Sequence, residues 1–515
     1  MPATASPNAV DLMPRDSRAR GVGRARSWPL WIAVAAFLAT RVYFYAFFSA
    51  SISDVGVYFQ YVVQGVDYGQ TPYKQVESTS TLRKLADLEY PPVAYWIMAL
   101  PRELSSWRLP AEPVEQPIFN KAIKRVTPVW ERYFELNDKH YLHYDKQFRA
   151  LMLLFDVAGF ALFGAILRRR APDLLTPGLW GYTLATACLG YVLLERLDVV
   201  LTFFLVAWAY CRLRADDADS AIAWLWCTAG YASLGLGIAF KLIPVLAVPF
   251  ALWSDVPALR NNPRDWKRLL GPLVLVVTAV LPFVYYYRIV GDDLWNMFRF
   301  HTARGVQIES SYAAWMMVFE PAKELTCYFD FGSWNLGGPS EPRILKWATI
   351  LLPAALFVLG VRALAAPLLR ERFDGAAAVR YATAAVSTAT FLSKVFSVQY
   401  LLWAVPLLLL GAAEHCGRRL FLAVVAGAVV SCALTGWLFP YHYQDTMLVA
   451  PYSKENPPHS VLIADARAGS YEGRSVDVGN PSQGFARDVM VARNLLFGLL
   501  TTALFCSTLR RSPIG

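Results

Sequence analysis

Asp54 stands four residues beyond an apolar run that ends near Ala50, and the aromatic stretch Val55-Gly56-Val57-Tyr58-Phe59-Gln60-Tyr61 follows it. A carboxylate at such a boundary has two readings. Ser53 and Asp54 are both good helix starters, so Asp54 is either an N-cap or solvated boundary residue, or a general base. Half desolvated by Tyr58, Phe59 and Tyr61, its pKa would rise toward the range useful for deprotonating a sugar hydroxyl. Other ionisable groups also sit at the ends of apolar runs: Glu89-Tyr90-Pro91-Pro92, Glu195-Arg196-Leu197-Asp198, Lys241 in Phe240-Lys241-Leu242-Ile243-Pro244, and Lys394 in Ser393-Lys394-Val395. A chain that strands charges at apolar ends usually employs them.

Each group also has a structural reading. Glu195, Arg196 and Asp198 can form a local ion pair at a tight turn. A lysine at a helix end commonly snorkels to water, whereas Lys241 and Lys394 on one face would make an anion site. The segment His301-Thr302-Ala303-Arg304-Gly305-Val306-Gln307-Ile308-Glu309-Ser310-Ser311 is densely polar between aromatic neighbours. It is either an ordinary loop or a binding segment, with Arg304 and His301 offering charge-assisted donors to a phosphate and Gln307 and Glu309 suiting the hydroxyls of a sugar. His140 and His143 share a helical face, but no third metal ligand lies near them in sequence.

The elements that must position these residues are membrane helices. With 515 residues, 56% of them hydrophobic and only 17% charged, the chain is too apolar for a soluble domain of its size. The net charge of +10 resides in short basic clusters at the ends of apolar runs, which is a topology signal and not a nucleic-acid stripe. Twelve segments are apolar enough to be spans, roughly residues 29–50, 148–168, 176–194, 198–212, 221–239, 242–254, 269–288, 345–363, 376–394, 398–413, 419–438 and 488–508. Alternating them from an inside N-terminus puts Arg168 to Arg170, Arg212 and Arg214, Arg260 to Arg268, Arg362 to Arg372, Arg418 and Arg419, and Arg510 and Arg511 on the cytoplasmic side. The expected fold is therefore an all-α polytopic membrane protein of about 12 transmembrane helices with both termini cytoplasmic. A basic, disordered tail over residues 1–28 precedes a single domain over 29–515, with outer loops at 51–147, 289–344 and 439–487. The short apolar stretch from Pro91 to Pro101 reads as a juxtamembrane helix lying in the interface. Seven cysteines, five of them in or beside apolar runs, provide no external disulfide framework. Phosphate-binding and dinucleotide-binding glycine motifs are absent, as are internal repeats and an Asp-x-Asp pair in the first loop, so nucleotide-sugar chemistry held by a metal has no support.

These residues, in this order, resemble the C-superfamily of membrane glycosyltransferases. Within it the chain looks like the polyprenyl-phosphate-mannose-dependent family 87, similar to the actinobacterial mannosyltransferases that elongate phosphatidylinositol mannosides. The resemblance rests on Ser53-Asp54-Val55 with Tyr58, on Gly65 and Thr71-Pro72-Tyr73, on Glu89-Tyr90-Pro91-Pro92, and on Arg196-Leu197-Asp198. It continues through Phe240 to Pro244, His301 to Ser310 and Lys394 to Trp403, covering roughly residues 30 to 440.

The resemblance implies that Asp54 is the catalytic base and that His301, Arg304, Gln307 and Glu309 contact donor or acceptor. Lys241 and Lys394 join the donor phosphate site less securely, and Tyr58, Glu89, Tyr90, Arg196 and Asp198 take acceptor or structural roles. The long charged segments 102–147 and 439–487 depart from simpler members and would shape the acceptor site. The implied activity is inverting transfer of a sugar, mannose by resemblance, from a polyprenyl-phosphate donor to a lipid- or glycan-linked hydroxyl on the extracytoplasmic face of the cell membrane. No cofactor and no divalent metal are expected. The partners are the lipid-linked donor, a glycolipid or glycan acceptor and membrane lipids, without nucleic acid. The rival is a multi-span transporter or flippase of lipid-linked saccharides, which calls for inverted repeats and charges on both faces.

Overall fold

The computed structural model describes residues 28–48, 54–67, 69–74, 88–106, 118–120, 125–127, 129–261, 263–298, 304–321, 324–330, 333–442 and 484–510. Each of the twelve predicted segments coincides with helix: α1 (Trp28–Ala46), α4 (Val129–Arg170), α5 (Leu175–Cys188) with the single turn α6 (Gly190–Leu193), α7 (Asp198–Asp217), α8 (Ser220–Phe240), α9 (Val248–Asn261), α10 (Leu270–Val290), α12 (Glu341–Ala365), α13 (Gly375–Leu392), α14 (Tyr400–His415), α15 (Arg418–Trp437) and α16 (Phe485–Leu509). The molecule is an all-α polytopic membrane protein. Among the described residues, seven helices are long and apolar enough to cross a bilayer.

Three of the other five segments form helices too short to cross alone, α5 and α9 with 14 residues and α14 with 16, and burial distinguishes α13. α12 buries only Ile344, Leu359 and Ala363, so nearly its whole surface is left to lipid and must be apolar. α13 buries fifteen of its eighteen residues, Gly375 and Ala377 to Thr390, against α9, α14 and α16. Protein surrounds it, and its threonines, serine and Arg380 lower its hydropathy without meeting hydrocarbon. The close approach that such interiors need is visible at Gly436 of α15, where a Cβ would lie 2.0 Å from the carbonyl oxygen of Cys188 at the end of α5.

The breaks between predicted spans 221–239 and 242–254 and between 376–394 and 398–413 are true helix ends. α8 stops at Phe240, Lys241 is extended (φ −159°, ψ 129°), and a 3₁₀ turn over Ile243–Ala247 leads into α9. α13 ends at Leu392, and an irregular segment that includes Lys394 precedes α14. Breaking a helix frees backbone groups and side chains together, and both lysines occupy such breaks.

Between the spans lie the elements that cap one end of the bundle. α2 (Val55–Val66) begins directly after Asp54, and α3 (Pro92–Glu103) is the predicted juxtamembrane helix, started by Pro91 and Pro92. There are two short antiparallel hairpins, β1 (Ile118–Asn120) with β2 (Arg125–Thr127), and β3 (Thr326–Asp330) with β4 (Ser333–Gly337), of which β3–β4 joins the cap. The segment before α11 (Ser311–Phe319) adds to the edge of β4, with Ile308 N donating to Trp334 O (3.0 Å) and Leu336 N to Val306 O (2.8 Å). A separate apolar cluster of Val306, Ile308, Met316, Leu336, Val489 and Met490 holds this layer down, so residues 304 to 310 are fixed in place by sheet and core.

Candidate functional site

The polar residues singled out in the sequence converge from separate elements. Asp54, at the N-cap of α2, is ion-paired with Arg196 in the turn before α7. Its side chain makes no capping hydrogen bond, so the N-cap position does not explain it. Asp198, the first residue of α7, accepts from Lys241 Nζ (2.7 Å) and from Trp403 Nε1 of α14 (2.8 Å) on the same oxygen, Oδ1. Lys241 also lies 5.0 Å from the ring centre of Tyr400, a cation–π contact. Glu89 pairs with Arg304 (2.8 Å), and Lys394 Nζ donates to the backbone oxygen of Arg304 (2.5 Å) while its own carbonyl accepts from Gln307 N (3.0 Å).

These pairs form one constellation. Tyr58 lies in the electrostatic reach of both Asp198 and Glu89, and Tyr400 in that of Lys241, Arg304, Asp198 and Glu89. Burial pushes the Tyr58 and Tyr90 hydroxyls well above their ordinary pKa, so both remain protonated; their oxygens are 3.3 Å apart. Tyr73 donates from its hydroxyl to the Tyr90 carbonyl (2.8 Å) and holds a left-handed backbone (φ 69°) that a bulky residue adopts only when its surroundings compel it. It is a site-supporting residue inside a quoted motif, yet its contribution could not be read from spacing.

Burial lowers the Arg196 pKa to about 10, against the opposing fields of Asp198 and Glu309, and the guanidinium stays cationic at neutral pH. Burial, followed by the field of Arg304, also pushes Lys394 down. Two cations thus meet at the Arg304–Lys394 corner, with the Glu89 carboxylate on Arg304. The side chains retain access to solvent: Asp54 is 27% exposed, Glu89 28% and Lys241 21%, whereas Asp198 is 5% exposed. Asp198 is therefore a sealed anchor and the other three border open space.

The local ion pair expected within Glu195-Arg196-Leu197-Asp198 does not form. Glu195 pairs with Arg149 of α4, Arg196 with Asp54, and Asp198 with Lys241. A tight turn splays consecutive side chains, and each finds a partner on a neighbouring element. The lysines do not simply snorkel either, since each Nζ is directed at a protein acceptor. Gln307 and Glu309 are 7% and 5% exposed. The Gln307 backbone bridges to Asn335, and the Glu309 carbonyl accepts from Arg493 (3.0 Å) and Asn494 (3.1 Å) of α16. Phe59 packs on Tyr141 and Tyr144, and Tyr58 on Phe148, so the aromatic stretch after Asp54 seats α2 on α4. His301 lies outside the described residues, as do residues 1–27, most of the segment 439–487 and part of 102–147. Among the described residues no three His, Cys, Asp or Glu side chains are grouped to hold a metal ion.

Arg149 carries no signal in the sequence, and Tyr400 and Trp403 lie within the quoted segment Lys394 to Trp403 without any role assigned to them. All three lie in or at the end of apolar runs, and only the packing of α14 and α4 brings them to the ion pairs.

The overall fold is similar to crystal structures of ArnT from Cupriavidus metallidurans. The form bound to undecaprenyl phosphate superposes with a TM-score of 0.46 at 15% identity, over 94% of this chain and 77% of that chain. The apo form gives a TM-score of 0.45 at 16% identity, over 94% and 76%. No family model and no curated protein matches the chain.

Proposed function

We propose that the protein is an inverting glycosyltransferase that moves a sugar, mannose by the sequence resemblance, from a polyprenyl-phosphate donor to a hydroxyl of a lipid- or glycan-linked acceptor. The observation that carries this reading is the convergence of partly exposed Asp54 and Glu89 with Arg196, Lys241, Arg304 and Lys394 at the ends of membrane helices. A lipid-linked substrate needs a site reachable from the bilayer, and transfer needs a base for the acceptor and cations for the leaving phosphate.

Asp54 takes the proton from the acceptor hydroxyl as its oxygen attacks the anomeric carbon. The bond from that carbon to the phosphate oxygen breaks on the opposite face, so configuration inverts in one displacement. The polyprenyl phosphate departs with the electron pair. Arg304 and Lys394, with Lys241 behind them and His301 by resemblance, stabilise that charge as it develops, which lowers the barrier more than equal binding of the ground state would. Arg196 orients the Asp54 carboxylate, and Gln307 and Glu309 shape the sugar pocket. On this reading the cations meet the phosphate directly and the reaction proceeds without a metal, on the extracytoplasmic face of the membrane.

The test is to incubate membranes containing the wild type or Asp54→Asn with radiolabelled polyprenyl-phosphate mannose and to extract the lipids and glycans. The expected result is label transferred by the wild type and lost in a variant that is inserted and folded. Equal transfer by both removes Asp54 as base. Movement of intact labelled lipid across the bilayer without transfer would instead establish a flippase.

A further inference from the structure

We infer that the cleft between the ends of α4 and α7 remote from Asp54 is a phosphate site that takes the headgroup of an anionic phospholipid. The inference stands independently of the transferase reading, since none of its residues belongs to the candidate active site.

Helical spacing brings the lining residues together. Arg169 and Arg170 end α4, and Tyr210, Arg214 and Asp217 recur at intervals of three and four on one face of the last turns of α7. Where the two helices pack, these side chains border a cleft over buried aliphatic residues. Arg169 and Arg170 share Asp217 over long contacts of 3.4 and 3.7 Å, and Glu414 accepts from Arg170 (3.2 Å). Arg214 forms no ion pair among the described residues. Its guanidinium lies 5.1 Å from the ring centre of Trp226 on α8, which Tyr210 meets edge-on at 5.9 Å. Aromatic contact holds that charge in place without neutralising it.

Charge and depth together identify the ligand. Three guanidinium groups meet two carboxylates by direct contact, so an entering anion finds net positive charge, and planar guanidinium forks match phosphate oxygens. The Arg169–Asp217 pair is loose, with side chains 43% and 30% exposed, and such a pair exchanges readily for a phosphate. Depth separates a lipid phosphate from a free one. Tyr210 near the end of α7 and Trp224 and Trp226 at the start of α8 are rings of the kind that settle at the headgroup level of a bilayer, and Lys267 stands 5.7 Å from the ring centre of Trp224. The cleft therefore opens at the depth of lipid phosphates, where a basic pocket between membrane helices recognises anionic headgroups.

The test titrates the purified full-length protein in dodecyl maltoside with dioleoyl phosphatidylglycerol, dioleoyl phosphatidylcholine or inorganic phosphate at matched ionic strength. Bound lipid is read by native mass spectrometry and the melting temperature is followed in parallel. Phosphatidylglycerol is expected to bind and to raise the melting temperature, and the other two to do neither. Arg214→Gln, and separately Arg169→Gln/Arg170→Gln, should weaken phosphatidylglycerol binding about tenfold or more, as loss of a hydrogen bond to a charged group does. Asp217→Asn removes the competing carboxylate and should strengthen binding, an effect that a purely structural role for Asp217 does not produce. Arg510→Gln removes an exposed arginine at the end of α16 and should leave binding unchanged. Weakening by Arg510→Gln equal to that by Arg214→Gln reduces the effect to surface charge and overturns the site. Unchanged binding in either cleft variant, or weaker binding in Asp217→Asn, also overturns it. An equal effect of phosphatidylcholine or of inorganic phosphate overturns the assignment to an anionic headgroup. Should Arg214→Gln not fold, Arg169→Gln/Arg170→Gln and Asp217→Asn decide on the same terms.

Discussion

The two ends of α7 use the same kinds of charge for different purposes. At its first residue, Asp198 meets Lys241, and the neighbouring cations and carboxylates border open space. Fourteen residues later, about 21 Å along the helix, Arg212 is held by Asp216 (3.0 Å) and by Asp255 of α9 (3.0 Å), with Arg268 3.7 Å from the same Asp255 oxygen. Asp216 also accepts from the Gly375 amide at the start of α13 (2.7 Å). Arg212 and Asp255 are 4% and 6% exposed as side chains, so nothing from outside reaches them. The far end locks α7, α9 and α13 to one another and to the 3₁₀ turn Pro263–Leu269 that carries Arg268. The near end leaves Asp54, Glu89 and Lys241 partly exposed, as the proposed transfer requires.

The largest contrast should come from neutralising one carboxylate at each end. Asp54→Asn is expected to lower transfer by about 10²- to 10⁴-fold, the usual contribution of a general base, with a melting loss well below that of a sealed carboxylate because Asp54 is 27% exposed. Asp255→Leu removes the buried carboxylate shared by Arg212 and Arg268 and is expected to destabilise by about 3–5 kcal/mol, seen in thermal unfolding, while the folded fraction keeps its specific activity. A melting loss at Asp54 equal to that at Asp255 would erase the distinction between the two ends.

Next in size is Lys394→Met, expected to reduce kcat by about 100-fold, comparable with the loss of one transition-state donor. Burial and Arg304 hold the Lys394 pKa below that of an ordinary lysine, so its ammonium is lost at lower pH as the solution becomes alkaline. The alkaline limb of the transfer rate should move to higher pH in Lys394→Arg, whose charge persists. An unmoved limb assigns that titration to another group and removes the Lys394 charge from the rate-limiting step. The smallest effect belongs to Tyr73→Phe, which deletes the hydrogen bond to the Tyr90 carbonyl. A loss of about 1 kcal/mol, or roughly fivefold in kcat/KM, would show that this strained tyrosine serves the open end. No change in kcat/KM would confine it to packing against Tyr286.

Much of the architecture was legible before any coordinates. Twelve apolar segments, the interfacial helix after Glu89, and breaks at Lys241 and near Lys394 all follow from how many residues a helix needs to cross hydrocarbon and from where proline and charge interrupt it. The polar residues gathered at one end were also recoverable, because charges stranded at apolar boundaries are costly and few. Their partners were not. Glu89 and Arg304 are separated by 215 positions, and Asp198 and Trp403 by 205. Adjacency pointed to the wrong partner for Arg196.

Local composition and periodicity determined which segments enter the membrane and which residues are left at their ends, since each depends only on the residues nearby. Tertiary structure alone decided that Arg196 faces Asp54, that Arg149 takes Glu195, and that Asp198 is sealed while Asp54 stays partly open. An ion pair is settled by which helix ends come together, and that is a property of the whole packing.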